Sequence, residues 1–119
     1  MQRILLKAKI HRARVTAACL DYEGSLSIDR TLMELADIAP YEQVNVYNVN
    51  TGERFDTYAI PAPDGSGEIC LNGAAARKGQ PGDLVIVATY ALLEEAEVGR
   101  HKPRLVMVDG NNRPKPLIR

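Results

Sequence analysis

Glycine and proline turns divide this chain of 119 residues into short segments, and that division limits the folds it can adopt. Nine glycines and seven prolines are spread along the sequence. Between the turns, apolar residues either alternate with polar ones or form short runs, which is typical of β-strands. The pattern therefore predicts a mainly β fold, a small closed β-barrel with two short helices.

The positions of the expected elements follow from these turns. Strands are predicted at residues 6–11, 44–49, 54–60, 68–71, 84–90 and 105–108. A first helix is capped by Asp29 and ends before Pro40. A second, shorter helix begins at Asn72 as its N-cap and ends at Gly79. The strand at 84–90 is nearly all apolar and is expected to be buried on both faces.

Strand alternation places several polar side chains on shared faces. Lys9 and His11 share one face of the first strand. In the strand at 54–60, Arg54 and Tyr58 point to one side and Thr57 to the other. Thr57 would therefore join a site with Tyr58 only through its backbone, or where the strand twists or bulges.

The composition fits one globular domain covering residues 1–119. The hydrophobic fraction is 45% and the charged fraction 25%, and no repeat or linker divides the chain. No apolar run is long enough to span a bilayer, and the N-terminus lacks the apolar core of a signal peptide. We therefore expect a cytoplasmic protein with no membrane partner. The tail from Arg113 onward is expected to be extended or disordered.

The cysteine and histidine content and the net charge argue against a metal site and a nucleic-acid partner. Cys19 and Cys70 lack metal-ligand spacing, and with only His11 and His101 besides them we expect reduced thiols and no metal site. The net charge of zero argues against a nucleic-acid partner, which requires a basic surface. Residues 1–16 are basic, and we expect most of these cations on a solvated strand face, with one or two left for an anionic substrate.

The pair Gly24 and Ser25 admits two interpretations. Gly-Ser pairs are common in turns, where glycine supplies a positive φ and serine bonds to nearby backbone. The same pair can also undergo backbone self-cleavage, in which the serine becomes a cofactor. The second interpretation is favoured by the polar residues elsewhere in the chain: Lys9, His11, Arg54, Thr57, Tyr58 and the run 72–76.

A set of motifs along the chain carries a family resemblance. The motifs are Lys9 with His11, the run 22–25, Asn48, RFxTYAI at 54–60, NGAAA at 72–76 and GDLVIVA at 82–88. In this order and spacing they resemble the bacterial aspartate 1-decarboxylases, pyruvoyl enzymes that make β-alanine for pantothenate synthesis. The resemblance implies a six-stranded double-psi β-barrel that assembles as a homotetramer, with active sites between subunits.

The resemblance also implies an inactive precursor that cuts itself between Gly24 and Ser25, giving residues 1–24 and 25–119. The Ser25 hydroxyl would attack the Gly24 carbonyl and form an ester through an oxyoxazolidine intermediate. β-Elimination and hydrolysis would then leave a pyruvoyl group at residue 25. Gly24 would permit the strained backbone, and the Thr57 hydroxyl would stabilise the oxyanion. An accessory maturation factor is a further candidate partner.

For the decarboxylation, the resemblance assigns three side chains. The amine of L-aspartate would condense with the pyruvoyl ketone to an imine, an electron sink that permits loss of CO2. Lys9 and Arg54 would bind the two carboxylates of the substrate, and Tyr58 would donate the proton that replaces CO2. Taken without the resemblance, Lys9 and Arg54 are surface cations and Tyr58 is a half-buried strand tyrosine.

Further positions carry over from the family in supporting roles. Backbone N–H groups of the second short helix would complete the substrate site, at Gly73, Ala74 and Ala75. The other supporting positions are His11, Tyr22, Tyr47 and Asn72. Two residues depart from the family pattern: Tyr47 stands where many relatives carry Trp, and Cys19 where others often carry Asp.

Two other functions are compatible with the sequence. A non-catalytic oligomeric β-barrel module would use the basic first strand to contact DNA or a partner, although the neutral net charge counts against it. A pyruvoyl decarboxylase for another amino acid would differ only in the details of its pocket. The pair of carboxylate-binding cations favours a dianionic substrate.

Overall fold

The computed structural model describes residues 1–116 and has one eight-stranded sheet with short helices, which confirms the mainly β prediction. The strands are β1 Gln2–Arg14, β2 Ala17–Cys19, β3 Ser25–Asp29, β4 Gln43–Asn48, β5 Arg54–Ala62, β6 Ile69–Asn72, β7 Leu84–Glu94 and β8 Arg104–Met107. The helices are α1 Arg30–Ala36, a 3-10 helix at Gly73–Lys78, and α2 Glu95–Val98. The last residues of the predicted tail, 117–119, lie outside the described part.

The sheet is strongly curled. Its strand order is β2-β6-β3-β5-β4-β7-β1-β8, so six strand steps separate β1 from β2. In the chain, however, only Val15 and Thr16 separate these strands. A flat sheet would hold β1 and β2 about 29 Å apart, whereas the three Cα steps from Arg14 to Ala17 span at most about 11 Å. Only a strongly curled sheet satisfies both distances.

Hydrogen bonds join the end of β1 to the neighbourhood of β6. Thr16 N donates to Ile69 O at 2.8 Å, which ties the end of β1 to β6. Buried Asn112 accepts from Arg14 N at 2.7 Å and donates to Gly67 O at 2.8 Å. The sheet has eight strands, against six that the resemblance implies for the barrel, and its closure as a double-psi barrel stays a prediction.

The core fills the inner face of the curled sheet. Alternate residues of the strands supply it, among them Ala8, Ile10, Leu26, Ile28, Val44, Val46, Leu71, Val85 and Val87. The helix α1 covers one side with Leu32 and Met33. Because successive strand residues face opposite ways, the polar residues between these apolar ones point outward. Any site built from them lies on the outer face.

The local predictions are largely confirmed, with corrections at the helices. Asp29 caps α1 by accepting from Thr31 N at 2.8 Å. The helix ends at Ala36, earlier than predicted, because Asp37 adopts a left-handed φ of +56° and its N–H closes the last turn. The hairpin of β4 and β5 forms as predicted, with Gly52 at a φ of +80°.

Three further details differ from the sequence-based expectations. The 3-10 helix lacks the predicted side-chain cap from Asn72, and Gly79 after it is extended, with a φ of −176°. The strand β7 alternates between buried and more exposed residues and is longer than predicted. The single turn α2 has no apolar periodicity, so the sequence pattern does not predict it.

Glu42 joins three parts of the fold through one carboxylate. It accepts from Lys7 Nζ at 2.9 Å, from Thr89 Oγ1 at 2.6 Å and from Ala39 N at 2.9 Å. Burial raises the pKa of Glu42, but the hydrogen bonds from Thr89, Ala39 and Lys7 and the charge of Lys7 outweigh it. The pKa of Glu42 therefore lies below its ordinary value of 4.5.

We expect Glu42→Gln to lower the free energy of unfolding at neutral pH by about 1–3 kcal/mol, because partly buried donors lose a charged acceptor. Since the folded pKa lies below the unfolded one, the carboxylate stabilises the fold above pH 4.5, and this contribution is lost as the pH falls through the folded pKa. Urea unfolding, measured from neutral to acid pH, should show that the difference in free energy of unfolding between wild type and Glu42→Gln shrinks. The control is Glu53→Gln at an exposed ion pair with Lys78. A difference that does not change with pH would contradict this expectation.

Candidate active site at Gly24 and Ser25

Ser25 lies where an exposed segment of the chain enters the buried sheet. Residues 20–24 are exposed, whereas Ser25, the first residue of β3, has no exposed surface. A hydroxyl buried in this way takes its hydrogen-bond partners from the protein. The Gly24–Ser25 bond therefore sits at the boundary of the interior, with its serine side held by the fold.

Asn72 holds the Ser25 hydroxyl. The two residues face one another in the antiparallel pairing of β3 with β6, and both are buried. Asn72 Nδ2 donates to Ser25 Oγ at 2.9 Å and to Ser27 Oγ at 2.8 Å, and Asn72 Oδ1 accepts from the Cys70 thiol at 3.1 Å. The Ser25 proton is left to point toward the carbonyl oxygen of Glu23, 3.5 Å away. The side chain predicted to cap a helix thus orients this hydroxyl instead.

Gly73 packs directly against the backbone of Gly24. Its φ is +64°, and a Cβ placed on it would lie 2.8 Å from Gly24 N, Gly24 Cα and Tyr22 O. Both the conformation and the contact therefore require glycine at this position. A Cβ placed on Gly24 would have open space around it, and Gly24 has no positive φ. The backbone strain expected at Gly24 is therefore not a left-handed conformation.

Tyr58 lies beside Ser25 on the outer face of the sheet. β3 and β5 are parallel with Leu26 opposite Ala59, and continuing this register by one residue places Ser25 next to Tyr58. Tyr58 is half-buried, and its ring centroid lies 6.3 Å from that of exposed Tyr41. One residue further, Gly24 comes level with Thr57, whose side chain faces the other side of β5, as the alternation predicts.

Arg54 is held by two tyrosines of neighbouring strands. Its guanidinium carbon lies 3.9 Å from the ring centroid of Tyr47, the residue opposite it in β4. Tyr47 in turn shares a hydrogen bond of 2.7 Å with Tyr90 of β7, hydroxyl to hydroxyl. That hydrogen bond raises the pKa of Tyr90, burial adds to the rise, and Arg54 opposes it. Stacking fixes the guanidinium plane, and an N–H edge oriented in this way can bind a carboxylate.

Lys9 and His11 lie on the outer face of β1, as the alternation predicts. Lys9 is half-buried and pairs in register with Ala88 of β7. His11 Nδ1 is buried and has no hydrogen-bond partner among residues 1–116. Burial lowers the pKa of His11, and the charges of Lys9 and Arg12 lower it further. His11 therefore favours its neutral form near neutral pH.

The predicted residues fall into two groups by their place in the sheet. The first lies around Gly24 and Ser25 and contains Tyr22, Tyr58, Asn72, Gly73, Ala74 and Ala75, while Thr57 comes level with Gly24 but faces the inner side of β5. The second is cationic and aromatic and contains Lys9, His11, Tyr47 and Arg54. Lys9 and Ser25 lie on β1 and β3, which are four steps apart in the strand order and do not pair. Arg54 lies on β5, which pairs with β3 and also carries Tyr58.

Sequence reasoning missed several members of these groups. Ser27, which shares the Asn72 donor, follows Ser25 at the spacing of a strand face, so its position was a usable signal. Tyr90 and Cys70 carried no such signal, because their contacts come from strands far apart in the chain. Within residues 1–116, no three His, Cys, Asp or Glu side chains come together as metal ligands. No helix in that range is long and apolar enough to cross a membrane.

The chain is similar to known proteins over nearly its whole length. A family model described as aspartate decarboxylase matches residues 1–115. An aspartate 1-decarboxylase of Syntrophobacter fumaroxidans is 68% identical over 96% of this chain and 92% of its own length. Those of Methylobacillus flagellatus and Thermoanaerobacter pseudethanolicus are 60% and 56% identical, over 97% and 96% of this chain and 91% and 97% of their own lengths. These matches extend over the strands that carry both groups of residues, and the chain belongs to the aspartate decarboxylase family.

Proposed function

We propose that this chain is made as a precursor that cuts its own Gly24–Ser25 bond, and that residue 25 becomes a pyruvoyl group. The enzyme then decarboxylates L-aspartate to β-alanine and CO2 for pantothenate synthesis, in the cytoplasm. Family membership supports the reaction. The observation that carries the position of the cut is the packing of Gly73 on Gly24 beside the oriented Ser25 hydroxyl.

The cleavage needs only the chain itself and one water molecule. Ser25 Oγ bonds to the Gly24 carbonyl carbon as the C–N bond breaks, and the hydroxyl proton passes to the freed amine. β-Elimination removes the Ser25 Cα proton and breaks the Cβ–Oγ bond, which releases Gly24 as a carboxylate and leaves dehydroalanine. Water then hydrolyses dehydroalanine to the pyruvoyl group and ammonia.

Three neighbours assist this cleavage. Asn72 holds Ser25 Oγ in place, so the hydroxyl is already positioned when it attacks. Gly73 lets the backbone pack tightly against Gly24 and limits how far that residue can move. Thr57 comes level with Gly24 along β5 but faces the other side of the strand, so its hydroxyl reaches the oxyanion on the Gly24 carbonyl where β5 twists.

The surroundings of residue 25 suit a small covalent keto group. The position is buried, and the amide of Asn72 provides a hydrogen-bond donor beside it. A pyruvoyl group supplies a carbonyl that takes up the substrate amine and withdraws the electron pair left by CO2. Tyr58, next to Ser25 in register, donates the proton that replaces CO2 through its phenol.

The substrate site forms between subunits of a homotetramer. Lys9 and Ser25 lie on strands that do not pair within one chain, and a second copy can bring its cations to residue 25 of the first. Exposed apolar residues on the same outer face favour such association, among them Ile4 at 71% exposed, Leu92 at 62% and Leu105 at 41%. Because the chain belongs to an enzyme family, no observation favours the alternative of a non-catalytic oligomeric module.

Substrate recognition depends on the dianionic character of L-aspartate. Arg54, stacked on Tyr47, presents its N–H edge to one carboxylate, and Lys9 supplies a second cation. The backbone N–H groups at Gly73, Ala74 and Ala75 add neutral donors at the start of the 3-10 helix. Neutral or cationic amino acids would leave these cations without partners, so the site favours aspartate over them.

Ser25→Ala should abolish cleavage and activity, since it removes the attacking oxygen. Intact-mass spectrometry of wild type should give residues 1–24 and a blocked chain starting at residue 25, and the variant one uncut chain. The matched control is Ser27→Ala, which loses the other hydroxyl bound to Asn72 and should still be cut. Turnover of aspartate by the Ser25→Ala protein would falsify the mechanism. Wild type that stays uncut after warming would point to an accessory maturation factor.

Gly73→Ala should block or strongly slow the cut, because its Cβ would collide with Gly24 and Tyr22. The matched control is Gly82→Ala, at a φ of +96° with nothing within 4 Å of the new Cβ. It carries the same conformational cost without the collision. The uncut fraction after a fixed incubation, measured by mass, should rise only for Gly73→Ala. Equal cleavage in both variants would remove Gly73 from the proposed site.

Tyr58→Phe should be cut normally and yet turn over aspartate about 10²–10⁴-fold more slowly, because it lacks the general acid. Tyr41→Phe is the control, since Tyr41 contacts Tyr58 but is 77% exposed. Its kcat should stay close to that of wild type. Unchanged kcat in Tyr58→Phe would assign the proton transfer to another group.

A further inference from the structure

Cys19 and Cys70 lie against each other on opposite sides of the proposed cut in the sequence. Cys19 ends β2, Cys70 lies in β6, and these strands are parallel neighbours. The two sulfur atoms are 3.9 Å apart, and both cysteines are free thiols. Cys19 is exposed and Cys70 is 6% exposed. One thiol is thus open to small oxidants while its neighbour is sheltered behind it.

Cys70 is also linked to the reacting serine. Its thiol donates to Asn72 Oδ1 at 3.1 Å, and Asn72 Nδ2 donates to Ser25 Oγ at 2.9 Å. One side chain therefore separates the cysteine pair from the bond that is cut. Any change at the Cys70 sulfur alters the hydrogen bonds that hold Asn72.

We propose that Cys19 and Cys70 form a modification site. There a low-molecular-weight disulfide, such as oxidised glutathione, oxidises the two thiols to a reversible disulfide bond. In the cut enzyme this bond ties residues 1–24 to residues 25–119, a consequence that rests on the proposed function. The bond itself does not depend on cleavage. It forms equally in an uncut chain.

The strand β2 can supply the movement that the bond requires. The sulfurs must approach from 3.9 Å to about 2.05 Å. β2 is only three residues long, lies at the end of the sheet order and runs into the exposed segment 20–24. Short strands at a sheet edge open locally at low cost. Cys70, held in the buried strand β6, stays in place while Cys19 moves toward it.

The exchange balances in two steps. The Cys19 thiolate attacks one sulfur of oxidised glutathione, which forms a mixed disulfide and releases one glutathione thiolate. Cys70 then loses its proton to solvent and attacks the Cys19 sulfur, which releases the second. Two protein thiols are oxidised to one disulfide, and one glutathione disulfide is reduced to two thiols.

The second step is expected to be the slow one. Burial, together with the contact and charge of Cys19, raises the pKa of Cys70 to about 11. Little Cys70 thiolate is therefore present at neutral pH, and the bond should form faster as the pH rises.

The bond would matter because residues 1–24 contain all of β1. After a cut at Gly24, this fragment is held without a covalent bond, by strand pairing with β7, β8 and β6 and by packing in the core. It also carries Lys9 and His11 of the proposed substrate site. A covalent link makes its retention independent of dilution and of transient opening.

The test compares wild type with uncut Ser25→Ala, each incubated with oxidised glutathione or with reductant. After an acid quench, unfolding and iodoacetamide treatment, intact mass counts the free thiols in each chain. We expect both alkylation adducts to disappear together in both proteins, and reductant to restore them. On a denaturing gel without reductant, residues 1–24 of the cut wild type should migrate with residues 25–119.

Two variants serve as controls. Cys19→Ser and Cys70→Ser should each lose the link. Thiols that stay alkylatable, or a glutathione adduct on Cys19 with Cys70 still free, would overturn the proposal. A wild type that forms the bond but is not cut would count against unaided maturation and leave the bond standing.

Discussion

The rest of the structure depends on the pairing of β1. This strand pairs with β7 from Gln2 to Arg14 and with β8 in its middle, and two residues beyond its end the chain joins β6 through β2. One continuous stretch thereby sets the curl of the sheet and closes the core. All of it lies before Gly24, so a cut enzyme keeps its fold through hydrogen bonds and apolar contacts between two chains.

The need to fill the core with apolar side chains decides on which face of the sheet the site can lie. In a domain of this size the inner face of a single curled sheet is filled by apolar side chains, and reactive groups are left to the outer face. On that face Ser25 and Asn72 lie on β3 and β6, whereas Lys9 lies on β1, four steps from β3 in the strand order. In the proposed homotetramer, a neighbouring copy would supply the cations that complete the site.

The sequence predicts which way a residue faces better than it predicts what it touches. Period-two alternation placed Lys9 with His11 and Arg54 with Tyr58, because facing is a local property of a strand. The partner of Asn72 depends on the register of β3 with β6, strands more than forty residues apart, and no local pattern encodes that register. The same holds for Tyr90. The family resemblance named the site residues, yet their division into two groups appeared only with the strand order.

The contact of Gly73 with Gly24 and Tyr22 has a consequence for access to the site. Gly73 packs so closely on Gly24 and Tyr22 that no side chain fits between them. If the proposed cut takes place, Gly24 ends in a carboxylate on an exposed segment, and a charged group favours water over buried backbone. Movement of that end would free the space beside residue 25 for an incoming amino acid. The proposed precursor would thus block its own substrate site, and the cleavage that creates the reactive group would also open it.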